Sequence, residues 1–203
     1  MPCYSYAGLR PVIHPEAFVH PMAILIGDAI VGPGSYVGPG ASMRGDFGRV
    51  ELGAGANLQD NCVMHSYPGR IARVAENGHV GHAAVLHGCE VGRGALIGIG
   101  AVIMDNVSIG EEALVAAMSF VKEGMQVPPR VLIAGIPARV MRELTAVELQ
   151  WKARGALQYQ ELARRSLQEL HECEPLRAPE PDRPVRSAGS VPLAELREAE
   201  RQR

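Results

Sequence analysis

The sequence predicts an all-β chain: a parallel β-helix of hexapeptide repeats, closed by a C-terminal α-helix. Two regularities and one absence point to it. Aliphatic residues recur six apart at Ile13, Val19, Leu25, Val31, Val37 and Met43, then at Leu52, Leu58 and Met64. The step resumes at Val80 and Leu86, and again at Val91, Ile97, Ile103, Ile109, Val115 and Val121. Four residues after nearly every one stands a slim side chain, among them Ala17, Ala23, Ser35, Ala41, Cys62, Ala84 and Ala95. A helical step near 3.6 is missing from this stretch. Short strands winding round a narrow shaft, each sending one aliphatic side chain inward, carry this signature.

Three hexapeptides make one triangular coil, so equivalent residues stack ~4.8 Å apart. The β-helix domain is placed at residues 10–142. Its count is broken by three extra residues between Met43 and Leu52, and by about ten between Met64 and Val80. In a solenoid that is regular elsewhere, function is expected where the regularity fails.

Past Val121, "VPPRVLIAGIPARVMREL" reads as an extended crossover. Thr145 and Glu148 then stand at capping-box spacing at the head of a helix assigned to residues 143–173. Leu149, Leu157, Leu162, Leu167 and Leu170 recur along it and are predicted to pack on the shaft. Residues 174–203, rich in Pro and charge, read as a mobile or partner-bound tail with a short helical end, "LAELREAERQR".

Composition narrows the function. A formal net charge of −2 argues against a nucleic-acid partner, which calls for a basic face. Small-molecule substrates are expected instead. No apolar run approaches the ~20 residues that cross a bilayer, and "MPCYSYAGLRPVIHPEAF" lacks a signal-peptide layout, so a cytoplasmic protein without a membrane partner is expected. Cys3, Cys62, Cys89 and Cys173 lack metal-finger spacing and read as free thiols.

Histidines cluster at the second interruption. His65 directly follows inward Met64 and His87 directly follows inward Leu86, so both imidazoles should point out of the shaft. With the loop bulged out, two hexapeptide steps would leave them near one level, sharing the region with His82. A histidine trio suits zinc with an open fourth position, which makes His65, His82 and His87 the candidate metal ligands. His14, His20, His79 and His171 read as surface or turn residues, although His79 is close enough to hydrogen-bond at the site. By the same bookkeeping Gln59 should lie one coil from His87, and Arg44 one coil from His65. Asp46 and Asp60 are the nearest carboxylates to hold the rear ring nitrogens, and an Arg44–Asp60 pair is a candidate bridge between chains.

"RGD" at 44–46, "NLQDNCVMH" at 57–65 and "GHVGHAAVLHGC" at 78–89 resemble the motif blocks of the γ-class carbonic anhydrase family of left-handed hexapeptide-repeat proteins, over about residues 10–170. That resemblance implies a left-handed coil and a homotrimer, with Zn2+ (or Fe2+ or Co2+) at each subunit boundary. His65 and His87 of one chain would be joined there by His82 of its neighbour. Anhydrases of the family are similar in carrying Glu directly after "RGD" and a second Glu in the loop. Here Phe47 follows Asp46, and the loop offers only Glu76. CO2 hydration needs a proton carried off at each turnover, so that loss weakens the anhydrase reading.

"MHSYPG", "WKARGALQYQ" and "ECEPLR" are similar to the phenylacetate-degradation branch of the family. This implies a metal-dependent acyl-CoA thioesterase of aromatic catabolism, with metal-bound hydroxide as nucleophile. In that scheme Gln59 hydrogen-bonds the hydroxide, Asn57 helps hold the oxyanion, and Tyr159 reaches in from the helix. Phe47 contacts the acyl group, and Arg70 and Arg73 meet CoA phosphates. The alternatives are a carbonic anhydrase acting on CO2 and bicarbonate, a hexapeptide acyltransferase, and a non-catalytic assembly subunit. The acyltransferases use a lone catalytic histidine, which the trio counts against.

Overall fold

The structure, a computed structural model, describes residues 2–184 and positions 193, 195, 196 and 198. From Leu25 to Val121 every inward aliphatic residue predicted above is buried, and so are the slim partners from Ala17 to Ser119. They form one continuous core column. The chain is a left-handed parallel β-helix followed by a helix.

One face stacks Phe18–Val19, Tyr36–Val37, Asn57–Leu58, His79–Val80, Leu96–Ile97, Leu114–Val115 and Val131–Gly135. The other two faces form one hydrogen-bonded sheet, because Ile24–Val31 and Ser42–Leu52 continue round a corner as single strands. The first interruption lies on the second of these, where register shifts between Gly27 and Ala29. Gly27 has φ +64°, and a Cβ there would strike the Gly45 carbonyl, so the close approach requires glycine.

The second interruption is shorter than expected. Ala72–Val74 is a strand of the solenoid, with Val74 fully buried. Only the segment around residues 66–71 leaves the ladder. His65 and His87 are therefore a full coil apart, in direct register, rather than near one level.

The expected crossover is a hairpin. Ala138–Glu143 turns back antiparallel on Val131–Gly135, ending the ladder with a pair of its own. Helix α1 spans Ala146–Glu169, shorter than the predicted 143–173 because the hairpin claims Glu143 and the backbone turns extended at Leu170. Thr145 and Glu148 form the predicted capping box. Its packing face differs from expectation. Leu157, Leu162, Leu167 and Leu170 are exposed, while Glu148, Lys152, Ala156 and Ala163 are buried. Small residues allow the helix to approach the sheet closely. The two charged ones are matched: Glu148 takes both guanidinium nitrogens of Arg142 at 2.7 and 2.8 Å, and Lys152 Nζ donates to the Gly94 carbonyl at 2.7 Å. Residues 174–184 are exposed. The rest of the predicted tail, its short helical end included, lies outside the described residues apart from four positions. No described helix is long and apolar enough to cross a membrane.

Candidate active site

Two clusters of polar side chains project from the solenoid at opposite ends of the Val85–His87 strand. The first is a column in register: Arg44, His65 and His87. His65 Nδ1 and His87 Nε2 face each other at 3.1 Å. Behind them, His65 Nε2 lies 3.0 Å from Asp46 Oδ1, and His87 Nδ1 lies 2.5 Å from Asp105 Oδ1. Arg44 holds the other Asp46 oxygen at 2.7 Å. Burial alone would raise the Asp46 carboxyl, but the Arg44 and His65 hydrogen bonds outweigh it and hold it below the ordinary range. Burial lowers the His65 imidazole, so its neutral, donor-ready form is favoured.

With each rear N–H given to its carboxylate, the two front nitrogens turn lone pairs toward each other, the arrangement a metal-ligating histidine pair requires. Phe47 tilts over His65 with ring centroids 5.6 Å apart, while remaining 59% exposed. Tyr67 stacks against His87 at 6.5 Å and donates its hydroxyl to Asn106 at 2.7 Å.

The second cluster carries His82, whose Nδ1 lies 2.5 Å from Asp60 Oδ2. Gln59 belongs here, not beside His87. Leu58 pairs with Val80, so Gln59 stacks by the strand that leads to His82. The missed Val74 step accounts for the misplacement. Gln59 Nε2 lies 2.8 Å from His79 Nε2 and 3.0 Å from Asn57 Oδ1, and Asn57 Nδ2 lies 3.3 Å from His79 Nδ1. Tyr159 meets the His79 ring edge-on at 5.3 Å. The three residues proposed from sequence as catalytic thus gather round a fourth that read as a surface histidine. Burial pushes the His79 imidazole down to about 4. A neutral ring has one N–H, so one of the two amides must offer it oxygen.

Among the described residues of one chain, no three His, Cys, Asp or Glu side chains gather closely enough for a metal ion. Geometry explains why. His82 sits in the turn before the Val85–His87 strand and pairs with Asp60, whereas His87 ends that strand and pairs with Asp105, so the two imidazoles belong to its opposite ends. The candidate Arg44–Asp60 pair is not made within the chain, where Arg44 holds Asp46 and Asp60 holds His82. Arg73 lies 3.6 Å from Glu51, and Arg70 donates Nε to the Tyr67 hydroxyl at 3.2 Å. Asp105, Tyr67 and His79 are the additions that structure makes to the site.

Comparison with known proteins decides the family. Carnitine operon protein CaiE of Salmonella agona is 56% identical over 184 residues, covering 91% of this chain and 93% of that protein. The chain belongs to the hexapeptide-repeat transferase family. The family described as "Bacterial transferase hexapeptide (six repeats)" matches residues 88–123. A second hexapeptide-repeat relative, CaiE of Escherichia coli strain K12, is 54% identical, covering 91% of this chain and 94% of that protein. Two solved structures superpose well on the chain. A putative acetyltransferase of Bacillus cereus has a TM-score of 0.80 at 36% identity, covering 82% of this chain and 98% of that one. A hexapeptide transferase family protein from Anaplasma phagocytophilum has 0.77 at 33%, covering 80% and 96%. The family description and those of the two structures name transferases, whereas the sequence predicts a hydrolase.

Proposed function

We propose that the chain is an acyl-CoA thioesterase whose site forms between copies and holds a divalent metal. The carrying observation is the His65–His87 pair, with Asp46 and Asp105 behind it and the two front nitrogens facing each other at 3.1 Å. The donor chemistry fits Zn2+, with Fe2+ or Co2+ as alternatives: two oriented imidazoles need at least one more ligand. His82, oriented by Asp60 and too distant within its own chain, is the ligand a neighbouring copy would supply in a homotrimer. When bound, such a metal brings the pKa of its water toward ~7 and polarises a carbonyl.

The chain's own groups do the rest. Asp46, Asp60 and Asp105 fix tautomer and aim. Gln59, anchored by Asn57 and His79, positions a polar group beside His82 for the reacting carbonyl or the attacking water. The motif blocks that resemble γ-class anhydrases, and within that family the phenylacetic acid degradation protein PaaY, support water as acceptor. Phe47, where those anhydrases carry Glu, supports an organic substrate over CO2.

A second reading is transfer of the acyl group to an amine or hydroxyl, favoured by the likeness to the Bacillus cereus putative acetyltransferase. Metal-replete protein is assayed with a panel of CoA esters, with and without amine and hydroxyl acceptors, and in parallel with CO2. Thiol release without acceptor supports the thioesterase. Release only with acceptor supports the transferase, and turnover of CO2 alone rejects both.

A further inference from the structure

The outward residues beneath helix α1 change character along one column. Tyr36, Asn57, His79, Leu96, Leu114 and Leu132 stack in register, from aromatic through polar to three leucines. The helix packs against the strands of Phe18, Tyr36 and Asn57. Over the leucines a cavity of about 460 Å³ remains. Trp151 and Tyr159 wall it from the helix, Ile99 and Ala117 from the coil corner, and Leu193 touches it from the tail. Gln59, His79 and His82 form its polar end.

This volume falls within the ~300–1,000 Å³ of small-molecule sites, with apolar walls and a few convergent polar groups. Its charge balance is decisive. Lys and Arg are absent from its described lining, and its one carboxylate, Glu148, is taken by Arg142 and by the Thr145 N–H at 2.8 Å. A charged occupant would lose its water and gain no counter-charge.

We propose that this cavity holds the acyl group of the substrate and selects uncharged acyl groups larger than acetyl, medium-length aliphatic or aromatic. This rests on the thioester reading above, because that reading places His82 and Gln59 at the reacting carbonyl. An acyl chain entering past them lies along Leu96, Leu114 and Leu132, with Trp151 as the opposite wall. Each methylene buried there contributes roughly fourfold in kcat/KM, so acetyl to hexanoyl spans on the order of 10²-fold.

The chain's single tryptophan is Trp151, which gives a readout independent of catalysis. Metal-replete protein is assayed with acetyl-, butanoyl-, hexanoyl-, phenylacetyl- and adipyl-CoA, and Trp151 emission is followed during titration with hexanamide and acetamide. The expected result is a rate rising with chain length, a fall back toward the acetyl value for adipyl, and a saturable response to hexanamide alone. Ala117→Phe, which fills the cavity from an exposed position, should abolish the length dependence and the hexanamide response. A flat length profile with no response of Trp151 to hexanamide overturns the inference. If no CoA ester is cleaved but hexanamide still shifts the emission of the unsubstituted protein and not of Ala117→Phe, the apolar site stands and the thioester reading fails.

Discussion

His65 and His87 sit one coil apart in register and turn Nδ1 and Nε2 toward each other at 3.1 Å. Two imidazoles are ordinarily free to rotate, and here each is held from behind by a carboxylate, Asp46 or Asp105. The pair is aimed before any ligand arrives.

Asp105→Asn tests that aim. An amide keeps the shape but loses the charge behind His87, and second ligand shells of this kind are worth about 10–100-fold in metal affinity. The variant should fold normally and bind Zn2+ that much more weakly in competition with a chromophoric chelator. Affinity equal to that of the unsubstituted protein would leave Asp105 as a solvated surface charge.

Separation of His82, in the turn before the Val85–His87 strand, from His87 at its end predicts complementation. His65→Ala and His82→Ala proteins should each be inactive and depleted of metal. Unfolded together and refolded as a mixture, they should regain part of both, because some boundaries then receive intact ligands from two different chains. Mixed assemblies verified by mass spectrometry and still inactive would place the site within one chain.

Burial of His79 sets a pH dependence of stability. Its imidazole falls from 6.5 to about 4 on folding, chiefly through burial. Between those values the unfolded chain binds a proton that the folded one refuses. Stability contributed by the neutral ring is thus full above about 6.5, declines as pH falls toward 4, and changes no further below. The span corresponds to about 3 kcal/mol. Urea midpoints should drop between pH 7 and pH 4.5, and His79→Gln should flatten that part of the curve. An unchanged slope in His79→Gln would assign the acid sensitivity to other groups.

Much of this was legible in the spacing. Arg44 over His65 follows from counting three hexapeptides, because a rigid ladder converts sequence distance into height. Asp105 was reachable by the same arithmetic, lying 18 residues beyond His87, but an outward carboxylate looks like surface charge until its partner is placed. Gln59 lies on a different face from the one the spacing predicts because Val74 hides within an irregular segment, and one uncounted step moves every later residue by a third of a coil. The burial of His79 escapes the spacing for a different reason. Its burial depends on helix α1, some eighty residues on, and local spacing carries no trace of a long-range cover.

Phe47 offers the sharpest test of substrate class. Its ring lies over His65, 5.6 Å between centroids, with the Arg44 guanidinium 6.0 Å from its face, and it remains 59% exposed. A carboxylate at this position would carry protons, whereas Phe can only pack. A positioned acid–base group contributes typically ~10²–10⁴-fold where proton transfer limits the rate. Phe47→Glu should therefore raise CO2 hydration by at least about tenfold, followed with a pH indicator by stopped flow. Thioester hydrolysis should respond less. A Phe this exposed contributes only part of the ~1.5–3 kcal/mol of full burial, and Phe47 is not among the described residues that line the acyl cavity proposed above. Loss for hexanoyl-CoA should stay under about tenfold, with metal content unchanged. If CO2 turnover stays at the unsubstituted level while metal and assembly are intact, proton removal is not what the missing Glu withholds, and Phe47 no longer argues for an organic substrate.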